Sequence, residues 1–108
     1  MKFAFLLMGD FDAKADHACL RGGDVRCVGV GGLEEACDVA RGLADEGFSC
    51  IELCGAFGEA GARRVIEATG GAVAVGYVVH LPEQDALFSR VFGENRAEIA
   101  AKERKECS

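Results

Sequence analysis

Three residues whose side chains can bind ligands or take part in catalysis lie near the ends of two apolar segments of this chain. They are Glu52, Cys54 and His80. Glu52 stands between Ile51 and Leu53, where burial of an unpaired carboxylate would cost several kcal/mol. Cys54 precedes a glycine-rich turn and a predicted helix start, a setting that favours a nucleophilic thiolate. A histidine can accept or donate a proton near neutral pH. Together these residue types indicate a binding or catalytic site.

The stretch over residues 50–63 is predicted to be a strand, a glycine-rich turn and a helix. Gly55, Gly58 and Gly61 recur at every third position, but they match neither a dinucleotide-binding fingerprint nor a phosphate-binding loop. A helix N-terminus attracts anions and glycines allow a ligand to approach closely, whereas the charge of Glu59 opposes an anion. The glycines can equally serve only to shape a tight turn.

Alternation along a strand places Cys50, Glu52 and Cys54 on one face. His80 ends the next predicted strand, and Asp10 follows the first one. Because parallel sheets bind ligands at the carboxyl ends of their strands, these side chains are expected to meet at one mouth. The predicted ligand-binding residues are therefore Asp10, Glu52, Cys54, Gly55, Gly58 and His80.

Three interpretations of this mouth stay open. Cys54 is a nucleophile assisted by His80; or Glu52 and His80 bind a polar small molecule or act as acid and base; or Glu52 and His80 form a structural pair without chemistry. A metal held by Glu52, Cys54, His80 and Asp10 is chemically allowed, but no metal site is predicted and no cofactor is indicated. We expect a small α/β protein that binds a polar small molecule, with an enzyme or a non-catalytic interaction module as alternatives.

The hydrophobic pattern predicts strands that alternate with helices. The expected strands span residues 2–8, 25–30, 48–54 and 72–81, and the clearest helices span residues 33–46 and 58–69. This alternation predicts a small three-layer α/β sandwich, with a mainly parallel four-stranded sheet in the order 2-1-3-4 and helices on both faces. A ferredoxin-like α+β sheet is the alternative, and the two differ in whether residues 12–21 are helical. A short helix is expected within residues 11–23.

Composition limits the class of protein and its partners. The 108 residues have a formal net charge of −6 and lack a basic stripe, which argues against nucleic acid and anionic membrane surfaces as partners. Six cysteines without a secretory segment predict a cytoplasmic protein without disulfides, in which Cys27, Cys37 and Cys50 act as small apolar residues. The fourth strand is apolar to its end, and such an edge strand favours a homodimer.

Two segments resemble a small family of uncharacterised bacterial proteins, namely Ile-Glu-Leu-Cys-Gly-Ala-Phe-Gly at residues 51–58 and Gly-Tyr-Val-Val-His-Leu-Pro-Glu-Gln-Asp at residues 76–85. With the opening strand, the resemblance extends to about residue 93. It implies a bacterial cytosolic single domain over residues 1–93 and assigns no activity and no site residues. Residues 94–108 form a separate charged, helix-prone tail, which we expect to fray or to dock only lightly.

Overall fold

The computed structural model describes residues 1–93, and the predicted tail lies outside the described residues. Short 3-10 turns occur at Arg21–Gly23, Gly55–Phe57 and Pro82–Gln84. The strands and helices are, in chain order, β1 (Phe3–Met8), β2 (His17–Leu20), β3 (Val25–Val30), α1 (Leu33–Asp45), β4 (Cys50–Leu53), α2 (Gly58–Ala68), β5 (Ala74–Tyr77) and α3 (residues 85–93).

The strands form one sheet in the order β2-β3-β1-β4-β5. β1 pairs in parallel with β3 and β4, β4 pairs in parallel with β5, and only β2 is antiparallel to its neighbour β3. The α/β class predicted from the sequence is therefore confirmed. The four parallel strands follow one another as expected, but the additional edge strand makes the count five rather than four and changes the complete order.

The short helix expected within residues 11–23 is replaced by a turn and strand β2. Asp12 starts the turn: its carboxylate accepts the Lys14 amide hydrogen bond at 3.0 Å, and its own amide donates to the Asp16 carboxylate at 2.8 Å. The Gly29 amide then donates to the Asp16 carbonyl at 2.8 Å and ties this loop to β3. β1 and β3 thus pair in parallel without a helix between them, which is a feature of the ferredoxin-like alternative.

The hydrophobic core lies on one face of the sheet. Helices α1 and α2 both pack there, whereas helices on both faces were expected; the amphipathic stripes of the two helices meet each other as well as the strands. Alternate residues of the strands point into this layer. The core side chains from the sheet are Ala4, Leu6, Val28, Val30, Ile51 and Leu53, and those from the helices are Ala36, Ala40, Leu43, Ala62 and Val65.

The opposite side of the sheet is left uncovered by α1 and α2, and we call it the open face. Phe11, from the loop after β1, packs on this face against Gly29 near the end of β3. The two are so close that a Cβ at Gly29 would lie 2.5 Å from the Phe11 ring. The remaining side chains are only partly buried. The open face is formed by Phe3, Phe5, Leu7, Val25, Cys27, Cys50, Glu52 and Gly76.

Strand β5 is shorter than the predicted strand over residues 72–81. The Val78 amide makes the last bond to β4, donating to the Leu53 carbonyl at 2.9 Å, and the chain then leaves the sheet. Val79 and Leu81 are 72% and 64% exposed, so the expected cover on both faces is not found. Pro82 opens the turn that leads into α3, as its fixed φ favours. None of the helices within residues 1–93 has the length and hydropathy to span a membrane.

Candidate functional site

A cleft of about 890 Å³ lies at the carboxyl ends of β1, β4 and β5. The turn from β4 into α2 forms one wall, and the segment after β5 together with α3 forms the other. Four of the six predicted site residues, Cys54, Gly55, Gly58 and His80, belong to its lining. The other lining residues are Met8, Ala56, Tyr77, Val78, Val79, Phe88, Ser89, Phe92 and Gly93.

Cys54 is fixed against the end of the central strand. Its backbone amide donates to the Leu6 carbonyl at 3.0 Å, which continues the pairing of β4 with β1 by one residue. The Met8 amide donates to the Cys54 sulfur at 3.3 Å, so the thiol satisfies a backbone group at the point where β1 ends. The half-buried sulfur thereby has a defined position at the floor of the cleft.

His80 is held between an aromatic ring and a carboxylate. Its Nε2 lies 2.7 Å from Oδ1 of Asp85, and its ring stacks on Phe88 with centroids 3.9 Å apart and an interplanar angle of 8°. Phe92 extends the stack, 5.6 Å from Phe88. The imidazole side chain is 35% exposed, so it forms an oriented wall of the cleft that a bound molecule can still reach.

The glycine-rich turn lines the cleft, and its backbone conformation also requires a glycine at one position. Gly58 has φ of +62°, which a residue with a side chain adopts only with strain. A Cβ at Gly55 would lie 3.4 Å from the Val78 carbonyl oxygen, an ordinary van der Waals distance, so the two walls of the cleft come close together at this position. Helix α2 begins at Gly58 and leaves its first amide groups without intrahelical acceptors beside the cleft.

Glu52 and Asp10 lie outside the lining of the cleft. Asp10 is exposed in the loop after β1. Glu52 is on the open face, half-buried, with Oε1 3.8 Å from the Cys50 thiol. The hydrogen-bond partner of Glu52 is therefore Cys50. The expected partner, His80, pairs with Asp85 instead. Burial raises the pKa of the Cys50 thiol, and the negative charge of Glu52 raises it further.

Sequence reasoning missed Asp85 and the two phenylalanines of the cleft, Phe88 and Phe92. The helical spacing of Phe88 and Phe92 predicts a buried helix face, but the two side chains are 38% and 51% exposed and form walls of the cleft. The signal for Asp85 was the proline between it and His80, because a turn started by Pro82 brings a residue five positions on back towards the histidine.

The other polar groups of residues 1–93 form no comparable candidate site. A shallow groove of about 490 Å³ between α1 and α2 is lined by charges of both signs, and Arg41 there already pairs with Asp38. Within residues 1–93, no group of three or more histidine, cysteine, aspartate or glutamate side chains is arranged to hold a metal ion. The thiols of this region are free: Cys37 is buried, Cys27, Cys50 and Cys54 are half-buried, and Cys19 is exposed.

The fold and the cleft define a small α/β protein in which a mainly parallel sheet carries two helices on one face and a ligand-sized cleft at its strand ends. The chain belongs to the family described as "Family of unknown function (DUF6506)", whose model matches residues 1–93. Membership of an uncharacterised family is thus confirmed, and a bacterial origin stays a prediction. No curated protein and no solved structure matches the chain.

Proposed function

We propose that the cleft binds a small molecule with a flat apolar body and one acidic or strongly hydrogen-bonding group. The observation that carries this proposal is the His80–Phe88 stack, which presents an oriented imidazole and an aromatic face in the same wall. The protein would then act as a ligand-binding module, with Cys54 at the floor of the site.

The apolar body is indicated by the chemistry of the lining. The surface of the cleft is mainly apolar, and its lining includes the large apolar side chains of Met8, Val78, Val79, Phe88 and Phe92. A volume of about 890 Å³ lies within the range of roughly 300–1,000 Å³ that is typical of small-molecule sites. Such a lining suits a more apolar ligand than the polar molecule expected from Glu52 and His80, because Glu52 does not reach the cleft.

The polar end is indicated by His80 and the start of α2. The ring keeps Nδ1 available, since the hydrogen bond to Asp85 uses Nε2. The unsatisfied amide groups at the first turn of α2 add partial positive charge, which favours an acidic group although Glu59 opposes it. An aromatic or branched aliphatic acid combines these requirements.

Binding of naphthoate and of its uncharged analogue naphthyl methanol tests this proposal. We expect naphthoate to bind more tightly by about tenfold or more, the worth of one hydrogen bond to a charged group. His80→Ala should abolish that preference. His17→Ala is the matched control, because His17 is the other histidine of the chain and is exposed on strand β2. An unchanged preference in His80→Ala would contradict the proposal.

Thiol chemistry at Cys54 is a second candidate function. The observation that favours it is that Cys54 and the Asp85-oriented His80 line the same cleft. Among the described residues no hydrogen bond joins the Cys54 sulfur to His80, so their contact would have to tighten when substrate binds. A structural or interaction module without a ligand is the remaining alternative, and it predicts no saturable binding in the cleft.

Location and assembly are also proposals. A cytoplasmic location is supported by the five free cysteines within residues 1–93, because thiols persist in reducing compartments. A homodimer is supported by the exposed apolar surface that this part of the chain presents. β5 is an edge strand of the sheet, and Val78 and Val79 directly after it are 49% and 72% exposed.

A further inference from the structure

The hydrogen bond between His80 and Asp85 determines which ring nitrogen of the histidine carries a hydrogen. Oδ1 of Asp85 lies 2.7 Å from Nε2. An ionised carboxylate only accepts hydrogen bonds, so Nε2 is the donor of this pair and keeps its hydrogen whether the ring is neutral or charged. Among the described residues, no group forms a hydrogen bond with the other nitrogen, Nδ1.

The surroundings of the ring leave its Nδ1 edge to the cleft. Phe88 covers one ring face, with centroids 3.9 Å apart and planes inclined by 8°, and Asp85 covers Nε2. The side chain is still 35% exposed and belongs to the lining of the cleft. What His80 can present to a bound molecule is therefore its second face and the edge that carries Nδ1.

The protonation state of His80 then determines which chemical group can bind at this edge. In the neutral ring Nδ1 has a lone pair, which accepts a hydrogen bond from a hydroxyl group and repels a carboxylate oxygen. In the charged ring Nδ1 donates a hydrogen bond and attracts a carboxylate. An acid can therefore use His80 only in its protonated form.

The elements around the cleft carry other ionisable groups, but Asp85 is the carboxylate that contacts the imidazole. Between about pH 5 and 8, histidine is the side chain whose ordinary titration changes its charge. His17, the other histidine, lies on β2 at the opposite edge of the sheet from β5. The remaining groups are Cys54 and Tyr77 in the lining, Glu59 of α2 at 3.7 Å from Arg63, and exposed Asp10, Glu83 and Arg90.

We propose that the cleft binds an aromatic acid together with one proton, which is taken up at Nδ1 of His80. Asp85 is the positioning residue of this site, because it acts through the imidazole and holds the hydrogen at Nε2. The charged ring then lies between two carboxylates, that of Asp85 and that of the ligand. The proton comes from the solvent, and no bond of the ligand forms or breaks. This inference rests on the proposed function and adds the protonation state that an acidic ligand requires.

Calorimetry of the full-length protein with naphthoate and naphthyl methanol tests the proposal. Naphthoate is ionised above about pH 6, as carboxylic acids are, so the ligand itself does not titrate. Its affinity should fall about fivefold or more between about pH 6 and 8, because the protonated ring becomes scarce. Two buffers of different ionisation enthalpy at about pH 7 should show uptake of about half a proton. The affinity for naphthyl methanol should not fall.

Substitutions locate the proton. Asp85→Asn removes the charge that supports the protonated ring, so the loss of naphthoate binding should begin about half a pH unit lower, a modest shift for an exposed pair. Glu83→Gln is the matched control, because it removes an exposed carboxylate from the same turn. His80→Gln keeps a polar side chain that takes up no proton, so its affinity for naphthoate should be equal at both pH values. His17→Ala should keep the pH dependence.

Three outcomes overturn the proposal, and they are distinguishable. Binding of naphthoate that depends on His80 but has the same affinity at both pH values, without proton uptake, refutes the inference and leaves the proposed function intact. A pH dependence that persists in His80→Gln, or that Asp85→Asn and Glu83→Gln change equally, assigns the proton to another group. If naphthoate does not bind saturably at any pH, the proposed function and this inference fail together.

Discussion

The Glu52 carboxylate lies over Gly76, its partner on the neighbouring strand β5. A Cβ built at Gly76 would come within 2.8 Å of Glu52 Oε2 and 3.3 Å of Oε1. The absence of a side chain at position 76 is therefore what gives the carboxylate its place on the open face. A glycine inside a strand commonly marks such a close approach.

The first prediction concerns this pair. Gly76→Ala displaces the flexible Glu52 side chain, so its cost is small, whereas in a Glu52→Ala background the same change should stabilise the protein by about 0.5–1 kcal/mol. Urea unfolding of the four proteins in a double-mutant cycle measures the coupling. Gly42→Ala within α1, where an added Cβ meets no atom within 4 Å, is the control and should show no coupling to Glu52. A cycle in which both changes simply add would contradict the observed contact.

The second prediction concerns acid stability and the pair formed by Arg26 and Glu46. Two hydrogen bonds of 2.9 and 3.2 Å from the guanidinium hold the pKa of Glu46 below its ordinary value. Since the pKa is lower in the folded protein, the pair stabilises it above the ordinary pKa of 4.5, and this contribution is lost as the pH falls through the folded value. Stability should therefore fall below about pH 5.

Glu46→Gln tests this by flattening the acid limb of the stability curve. The effect should be modest because the Glu46 side chain is 50% exposed and water screens the pair. Urea unfolding between about pH 6 and 3 gives the slope, and Glu34→Gln, which removes an exposed carboxylate from the first turn of α1, is the control. Equal slopes for the wild type and Glu46→Gln would refute this assignment.

The third prediction concerns the turn into α2. Gly58 has φ of +62°, so Gly58→Ala should destabilise the protein by about 1 kcal/mol or more. The same substitution at Gly42, in the interior of α1, should stabilise it by about 0.5–1 kcal/mol because alanine is the better helix former. Thermal unfolding of both variants gives the two signs, and a neutral Gly58→Ala would argue against the strained turn.

The fourth prediction concerns thiol reactivity. In a background with Cys107→Ser, Cys54 should react with a small thiol reagent faster than Cys27, Cys37 and Cys50. Cys54 lines the open cleft, whereas Cys37 is buried and the pKa of Cys50 is raised by burial. Site-resolved labelling of the native protein measures the order. Labelling of Cys54 no faster than that of buried Cys37 would exclude it as a nucleophile.

The periodic hydrophobic patterns of the sequence correctly predicted the strands and the helices that enclose the hydrophobic core. The predicted strand 25–30 matches Val25–Val30, and the helices expected over residues 33–46 and 58–69 are Leu33–Asp45 and Gly58–Ala68. Strand β2 escaped prediction because all four of its residues are exposed. Its conformation comes from pairing with β3 and leaves no alternation in the sequence.

The sequence predicted only those residues of the candidate site whose positions follow from the order of the strands. The order of β1, β4 and β5 brings Cys54 and the segment of His80 to the same end of the sheet. Alternation correctly placed Cys50 and Glu52 on one face, but it could not show that helices leave this face uncovered. The pairing of His80 with Asp85 depends on the turn at Pro82, which helical or strand spacing does not encode.

The most direct test of the cleft as a ligand site is the NMR response of the two histidine rings to an aromatic acid. Phenylacetate titrated into the full-length protein should shift the His80 imidazole signals along a saturable curve, because its ring would stack beside Phe88 and its carboxylate would meet the imidazole. The His17 signals, from the exposed edge strand, should stay in place. If the His80 signals do not move, or if both histidines drift together without saturation, the cleft is not the binding site.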